Sequence, residues 1–325
     1  MPLPRSSSSS LFSWRITAGF AALLGLALLV GVSIGPVAIN PLGADLNILV
    51  QIRLPRVILA GLVGAALSTS GAVYQTVFRN PLADPYLLGV ASGAGLGATL
   101  AILAPDSTAR AALLPIFAFI GALAAVATTF VVSGRRFAEP RTLLLSGIAV
   151  GSFATAVQTY LFQSHTEQLR AIYSWTMGQL TVADWNTVAW TAGYLALSLG
   201  ALFVIARRLD GLLLSDEEAH SLGLKPNRLR VLAIIAATLA TATAVAASGL
   251  IGFVGLVIPH LVRTLLGRAT NRALPTLALA GGAFLILADL GARTAISPAE
   301  LPIGVITAFV GVPFFLYLLR RRGGQ

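Results

Sequence analysis

The densest chemistry in the sequence is a run of acids, Ser215-Asp216-Glu217-Glu218, inside the hydrophilic stretch from Arg207 to Arg230. Ser215 followed three residues later by Glu218 predicts a capping box, each side chain satisfying the other residue's backbone N–H. Three acids in one first turn also favour the positive end of the helix dipole. Gly223, with Leu224 after it and Pro226 beyond, predicts a left-handed C-terminal cap. The spacing therefore predicts a helix over 216–222. Two turns are too few to persist alone in water, so packing must hold them. Ala219, Leu222 and Leu224 offer an apolar face, which lands either on the chain's own surface or in a partner.

Little else reads as reaction chemistry. Asp289 and Arg293 are four apart near the end of an apolar run and share one helix face, so they predict an ion pair. The three histidines, His165, His220 and His260, stand far apart in the sequence. No HExxH, no nucleophile–base pair and no GxxxxGK[ST] phosphate loop occurs, so neither catalysis nor nucleotide binding is expected of this chain. Cysteine is absent, which removes thiolate metal sites and disulfides. No cofactor is expected here, and the driving energy must come from another polypeptide.

The elements that carry these residues are set by composition. Of 325 residues 56% are hydrophobic and 10% charged, whereas a soluble domain carries roughly 25% charge. Lipid must be the solvent. The formal net charge of +10 would suggest nucleic acid in a soluble chain, but the arginines sit in short loops and form no stripe. The reading is an all-α integral membrane protein, one transmembrane domain over 1–325, with a tail at 1–15 and a long loop at 207–230. The first apolar run exceeds the roughly 7–15 residues of a signal peptide and is read as a retained span.

A crossing helix needs about 20 apolar residues. Candidate runs are 16–36, 57–78, 87–104, 111–134, 142–163, 186–206, 273–291 and 303–319. The stretch from Val231 to Val262 is too long for one straight crossing, about 48 Å against a core of about 30 Å. Gly249, Gly252, Gly255 and Pro259 supply places to break it into 229–247 and 250–266. Ten transmembrane helices result. With both termini cytoplasmic, all of the 22 Lys and Arg residues fall inside except Arg53, Arg56, Arg110, Arg170 and Arg293, as the positive-inside rule requires.

Gly89, Gly93 and Gly97 recur every four residues and predict close helix packing. Ser68, Thr69 and Ser70 either bond their own backbone or line a polar passage. Tyr173, Trp175 and Trp185 suit an interfacial aromatic belt. An ion-gradient transporter would need charged residues deep in its spans, which are almost absent here.

Five segments carry a resemblance: Arg53-Leu54-Pro55-Arg56, GAVYQTVFRNPLADPYLLGVASGAG (71–95), DEEAHSLGL (216–224), GLIGFVGLVIPHLVR (249–263) and ELPIGVITAFVGVPFFLYLL (300–319). Their types and order resemble the FecCD-type permeases of the iron–siderophore, haem and vitamin B12 importers; the segment 104–141 matches only in hydropathy. The resemblance implies a type II ABC importer permease in a bacterial cytoplasmic membrane. It pairs with a second copy of itself, with two ABC ATPase subunits that carry the ATP and magnesium, and with an extracytoplasmic binding protein. The resemblance also implies that Ser215, Asp216, Glu217, Glu218, Ala219, Leu222, Gly223 and Leu224 form the ATPase coupling element. Arg53, Arg56 and Arg293 would dock the binding protein, with anchoring to lipid phosphates the alternative. Asn80, Leu82, Pro140 and Arg141 would narrow the inner pathway, although Pro140 and Arg141 depart from the small hydroxyl residues of the B12 permease. An iron(III)–siderophore is the expected cargo, with haem or cobalamin as alternatives.

Overall fold

The computed structural model describes residues 7–35, 46–104, 107–134, 139–181, 183–266, 270–297 and 299–322. Among these, ten longer helices follow the ten expected apolar runs: α1 (Ser7–Ser33), α2 (Leu54–Val77), α3 (Val90–Ile102), α4 (Ser107–Ser133) and α5 (Pro140–Ser164), then α6 (Trp185–Leu209), α7 (Pro226–Ser248), α8 (Val254–Leu266), α9 (Thr270–Thr294) and α10 (Ile303–Arg322). A π-helical turn, Leu49–Arg53, leads into α2. Short helices Leu169–Thr176 and Asp216–Ser221 precede α6 and α7 respectively. Helix α1 begins at Ser7, so the segment expected as a tail is helical from there on; residues 1–6 lie outside the described residues.

Among the described residues seven helices are long and apolar enough to cross a membrane. Two of the ten expected crossings, α3 and α8, have only 13 residues, about 20 Å of rise. The third short apolar segment is Ile303–Tyr317 of α10. The shortfall has a local cause. The chain leaves helical geometry at 79–89, before α3, and at 249–253, where α7 breaks from α8. These two irregular segments meet: the Tyr86 hydroxyl donates to the Ile251 carbonyl (3.0 Å) and accepts from its N–H (3.2 Å). The Gln179 amide donates to the Ser248 carbonyl at 2.8 Å. Non-helical backbone is tolerated inside a membrane protein where other protein groups satisfy it in this way.

Helices α2, α7 and α9 form the interior, with 78%, 72% and 67% of their apolar windows buried, against 11% for α1 and 28% for α5 and α6. Small residues make this density possible. A Cβ on Gly64 would stand 2.1 Å from the Gly281 carbonyl oxygen, which is how closely α2 lies on α9. Gly93 and Gly97 do the same for α3 against α4. The third glycine of that stripe differs, since Gly89 precedes α3 at φ 85° and a Cβ there meets only ordinary contacts. Ser68, Thr69 and Ser70 are buried and bond backbone carbonyls, Ser68 reaching Leu277 on α9 at 2.7 Å.

Candidate functional site

Two charged clusters occupy opposite ends of α2, and apart from the Asp289–Arg293 pair their arginines find partners that no local spacing announces. At the C-terminal end of α2 the chain turns through Arg79, whose φ of 49° is unusual for a side chain of this size. Its guanidinium donates to the carbonyls of Leu212 (2.7 Å) and Leu214 and to the Asp216 carboxylate (2.8 Å). Arg230, in the first turns of α7 and nearly buried, donates to the same carboxylate at 2.9 Å. One acid therefore ties the Asp216–Ser221 helix to α2 and α7 together.

That helix is as the local pattern predicts. The Glu218 N–H donates to Ser215 Oγ (3.2 Å) and the Ser215 N–H donates to Glu218 Oε2 (2.9 Å), a complete capping box. Gly223 takes φ 75° and donates to the His220 carbonyl (2.9 Å), while the Leu224 N–H donates to Ala219 (3.0 Å), the paired bonds of a Schellman motif. The Arg230 and Arg79 guanidiniums hold the Asp216 carboxyl below the usual range. The Ser215 amide does so for Glu218. The apolar face differs from expectation: Ala219 is buried against the body, Leu224 packs near Gly211, but Leu222 is 67% exposed. Leu222 is the helix C-cap, one residue past the last helical residue, and it points away with Glu217 and Glu218.

Behind this element, Arg263 of α8 grips the last turns of α2, donating to Gln75 Oε1 (2.7 Å), the Ala72 carbonyl (2.9 Å) and Thr76 Oγ1 (3.2 Å). Arg79, Arg230 and Arg263 were legible from sequence only as orientation charges. Their partners lie 137, 14 and 188 residues away, and no local spacing announces them. Of the expected pathway residues, Asn80 accepts from the Leu82 N–H (2.9 Å) within the 79–89 segment, and Leu82 is 41% exposed. Pro140 opens α5 and Arg141 follows it, exposed. Among the described residues no hydrogen bond or ion pair joins the two pairs.

At the other end, Arg56 in the first turn of α2 forms a fork on Asp289 of α9 (Nη2 to Oδ1 at 2.8 Å, Nε to Oδ2 at 3.1 Å) and reaches Glu300 at 3.0 Å. Arg293 Nε stands 3.5 Å from the same Asp289 carboxylate, the ion pair expected from their spacing, and its Nη2 donates to the Gly31 carbonyl of α1. Arg53 donates to the carbonyls of Val32 (3.2 Å) and Ser33 (3.0 Å), closing the C-terminus of α1, where a cation suits the dipole. Asp289 and Arg293 are essentially buried. The three arginines expected to dock a binding protein thus stand together at this end, and, surrounded by apolar helices, each guanidinium bonds the chain's own acceptors. Trp175, expected in an aromatic belt, is likewise buried, its carbonyl lying under Gly249; Tyr173 and Trp185 remain partly exposed.

Between the two ends, α3 and α5 wall an open groove of about 1000 Å³. Gly147, Gly151, Ser152, Thr155 and Thr159 line it from α5 at helical spacing, and Gly89, just before α3, and Ser92 of α3 line it as well.

The chain matches the FecCD transport family over residues 18–321. It is 44% identical to the cobalamin import system permease protein BtuC of Halobacterium salinarum over 83% of this chain and 73% of that one. Identity to the hemin transport system permease protein HmuU of Yersinia pestis is 42%, covering 86% of this chain and 85% of the relative. The Fe(3+)-citrate import system permease protein YfmE of Bacillus subtilis is 37% identical over 92% and 93% of the two chains. A solved inward-facing structure described as a metal-chelate type ABC transporter superposes with a TM-score of 0.87 at 34% identity, covering 94% of this chain and 99% of that one. The protein is a multi-pass membrane protein, and it belongs to the FecCD transport family of ABC transporter permeases.

Proposed function

We propose that this chain is the transmembrane permease subunit of an ATP-driven importer of metal chelates, with an iron(III)–siderophore as its cargo. The observation that carries the proposal is the Asp216–Ser221 helix: capped at both ends, tied to α2 and α7 through Asp216, and presenting Glu217, Glu218 and Leu222 outward. A short helix anchored to the bundle through Ala219 and Asp216, yet turning Glu217 and Leu222 away from it, suits insertion into a cleft of an ATPase. Two copies of the permease stand side by side on two ATPase subunits. ATP binding draws the ATPases together, and Ser215–Leu224 transmits that motion through Arg79 to α2 and through Arg230 to α7, alternately opening the groove to each side. The chain makes no covalent chemistry.

Ten crossings, counting α3, α8 and α10 with the seven longer helices, put both termini and the Asp216 helix on the cytoplasmic side, in keeping with where the arginines concentrate. The opposite end then receives an extracytoplasmic binding protein around Arg53, Arg56 and Arg293. Arg56 and Glu300 are the accessible members of that cluster. Asn80, Leu82, Pro140 and Arg141 border the cytoplasmic exit. The relatives named for haem, cobalamin and ferric citrate keep the cargo within coordination compounds of a metal.

The test is the double variant Glu218→Arg with Leu222→Asp, which reverses charge and polarity on the outward side and leaves Asp216 and Ala219 in place, with hydrogen exchange over 216–222 followed alongside because Glu218 is also half of the capping box. ATPase association and ATP-driven uptake in proteoliposomes should both be lost. Uptake that survives the pair removes the coupling assignment, and uptake driven by an ion gradient without any ATPase removes the importer class.

A further inference from the structure

The groove between α3 and α5 has an unbalanced lining. Among the described residues its lining contains one carboxylate, that of Asp84, and no Lys, Arg or His. One Asp84 oxygen accepts from the Tyr86 N–H at 2.8 Å, which orients the carboxylate without cancelling its charge. Among the described residues no ion pair involves Asp84. The rest of the polar lining is neutral: the hydroxyls of Ser92, Ser152, Thr155 and Thr159 and the amide of Gln158. Gln158 is itself held in place by donating to Thr99 Oγ1 at 3.1 Å.

A cleft with low-dielectric walls and one sign of charge focuses its field on whatever enters. An unpaired carboxylate repels an anionic cargo and attracts a cationic one, while hydroxyls and an amide accept either a neutral or a cationic one. Specificity of this kind comes as much from the penalised wrong partner as from the favoured right one.

We infer that the groove selects its cargo by charge, taking neutral or cationic metal chelates in preference to anionic ones, with Asp84 setting that preference. Ferric hydroxamates, in which the arms cancel the metal's charge, fit this lining. Catecholate and citrate complexes, whose arms overcompensate it, do not. The inference rests on the reading of the chain as a chelate permease and narrows the class of its cargo.

The experiment uses the whole complex, permease with its ATPases and binding protein, in liposomes. Uptake is measured for a neutral ferric trihydroxamate, for its amine-bearing cationic analogue and for an anionic ferric triscatecholate. Because a binding protein also selects, the deciding comparison is between permease variants. Asp84→Lys should lower uptake of the cationic chelate by roughly tenfold or more, as expected for like charges brought together, and lower the neutral one less. Asp84→Asn should fall between. Ser152→Lys, at an exposed position on the α5 wall, should act in the same direction and decides the matter if Asp84→Lys loses basal ATPase activity. Equal loss for both hydroxamates, no loss in either lysine variant, or a wild-type preference for the triscatecholate overturns the inference. Zero uptake of every chelate sinks the permease reading and this inference with it, a result distinct from preference for the anion.

Discussion

Arg56 and Arg79 stand at opposite ends of the same helix, and each is paired with an acid from a distant part of the chain, yet the two clusters are built for different work. At the Arg56 end, Asp289 has 1% of its side chain exposed and serves two arginines. At the Arg79 end, Asp216 also serves two arginines but is 47% exposed. A buried ion pair is mostly a commitment: removing one partner leaves uncompensated charge where water cannot reach it. A half-exposed pair is screened and contributes little to stability, but it fixes direction. The first cluster braces α1, α2 and α9 against one another. The second aims a small helix outward while keeping it joined to the interior helices.

The strongest way to break this comparison is Asp289→Ala. It strands Arg56 and Arg293 together, and thermal unfolding of the purified protein should show a loss of about 3–5 kcal/mol. If the protein tolerates it as well as it tolerates Asp216→Ala, the brace does not exist. Asp216→Ala should cost only about 1–2 kcal/mol, because Arg230 is buried but the acid is not. Its effect should fall instead on uptake, which drops while ATPase binding is retained. Gly223→Ala, at φ 75°, should cost about 1 kcal/mol and loosen the end of the Asp216–Ser221 helix, seen as faster hydrogen exchange at Gly223 and Leu224. The smallest expected effect is that of mild acid. Asp216 titrates below the usual carboxylate range in the folded chain. Its contribution is therefore complete above the unfolded value and is lost only as pH falls through the depressed one. Lowering pH from about 7 to about 5 should leave the exchange protection of residues 216–222 unchanged; a loss across that window would mean that Asp216 is not paired.

What the sequence made legible follows the range of the forces involved. The capping box, the left-handed stop at Gly223, the Asp289–Arg293 pair and the break after Ser248 all depend on residues within a turn or two of each other, and each is where the spacing puts it. What stayed hidden depends on residues far apart. Arg56 finds Asp289 across 233 positions, and Trp175 is buried because the short helix that carries it folds over the α7–α8 break. Hydropathy gave Leu222 an inward place beside Ala219, but the helix ends one residue too soon and Leu222 points away. An exposed leucine beside two exposed acids is the part of this surface that the bundle itself leaves unexplained.

That residue also gives the most direct test. The chain has no cysteine, so Leu222→Cys introduces a unique thiol at the outward end of the Asp216–Ser221 helix. In the assembled importer a short bifunctional cross-linker should join it to the ATPase subunit, and a spin label there should lose mobility when the ATPase binds. A thiol at 222 that stays freely labelled and unlinked in a complex hydrolysing ATP would contradict the account.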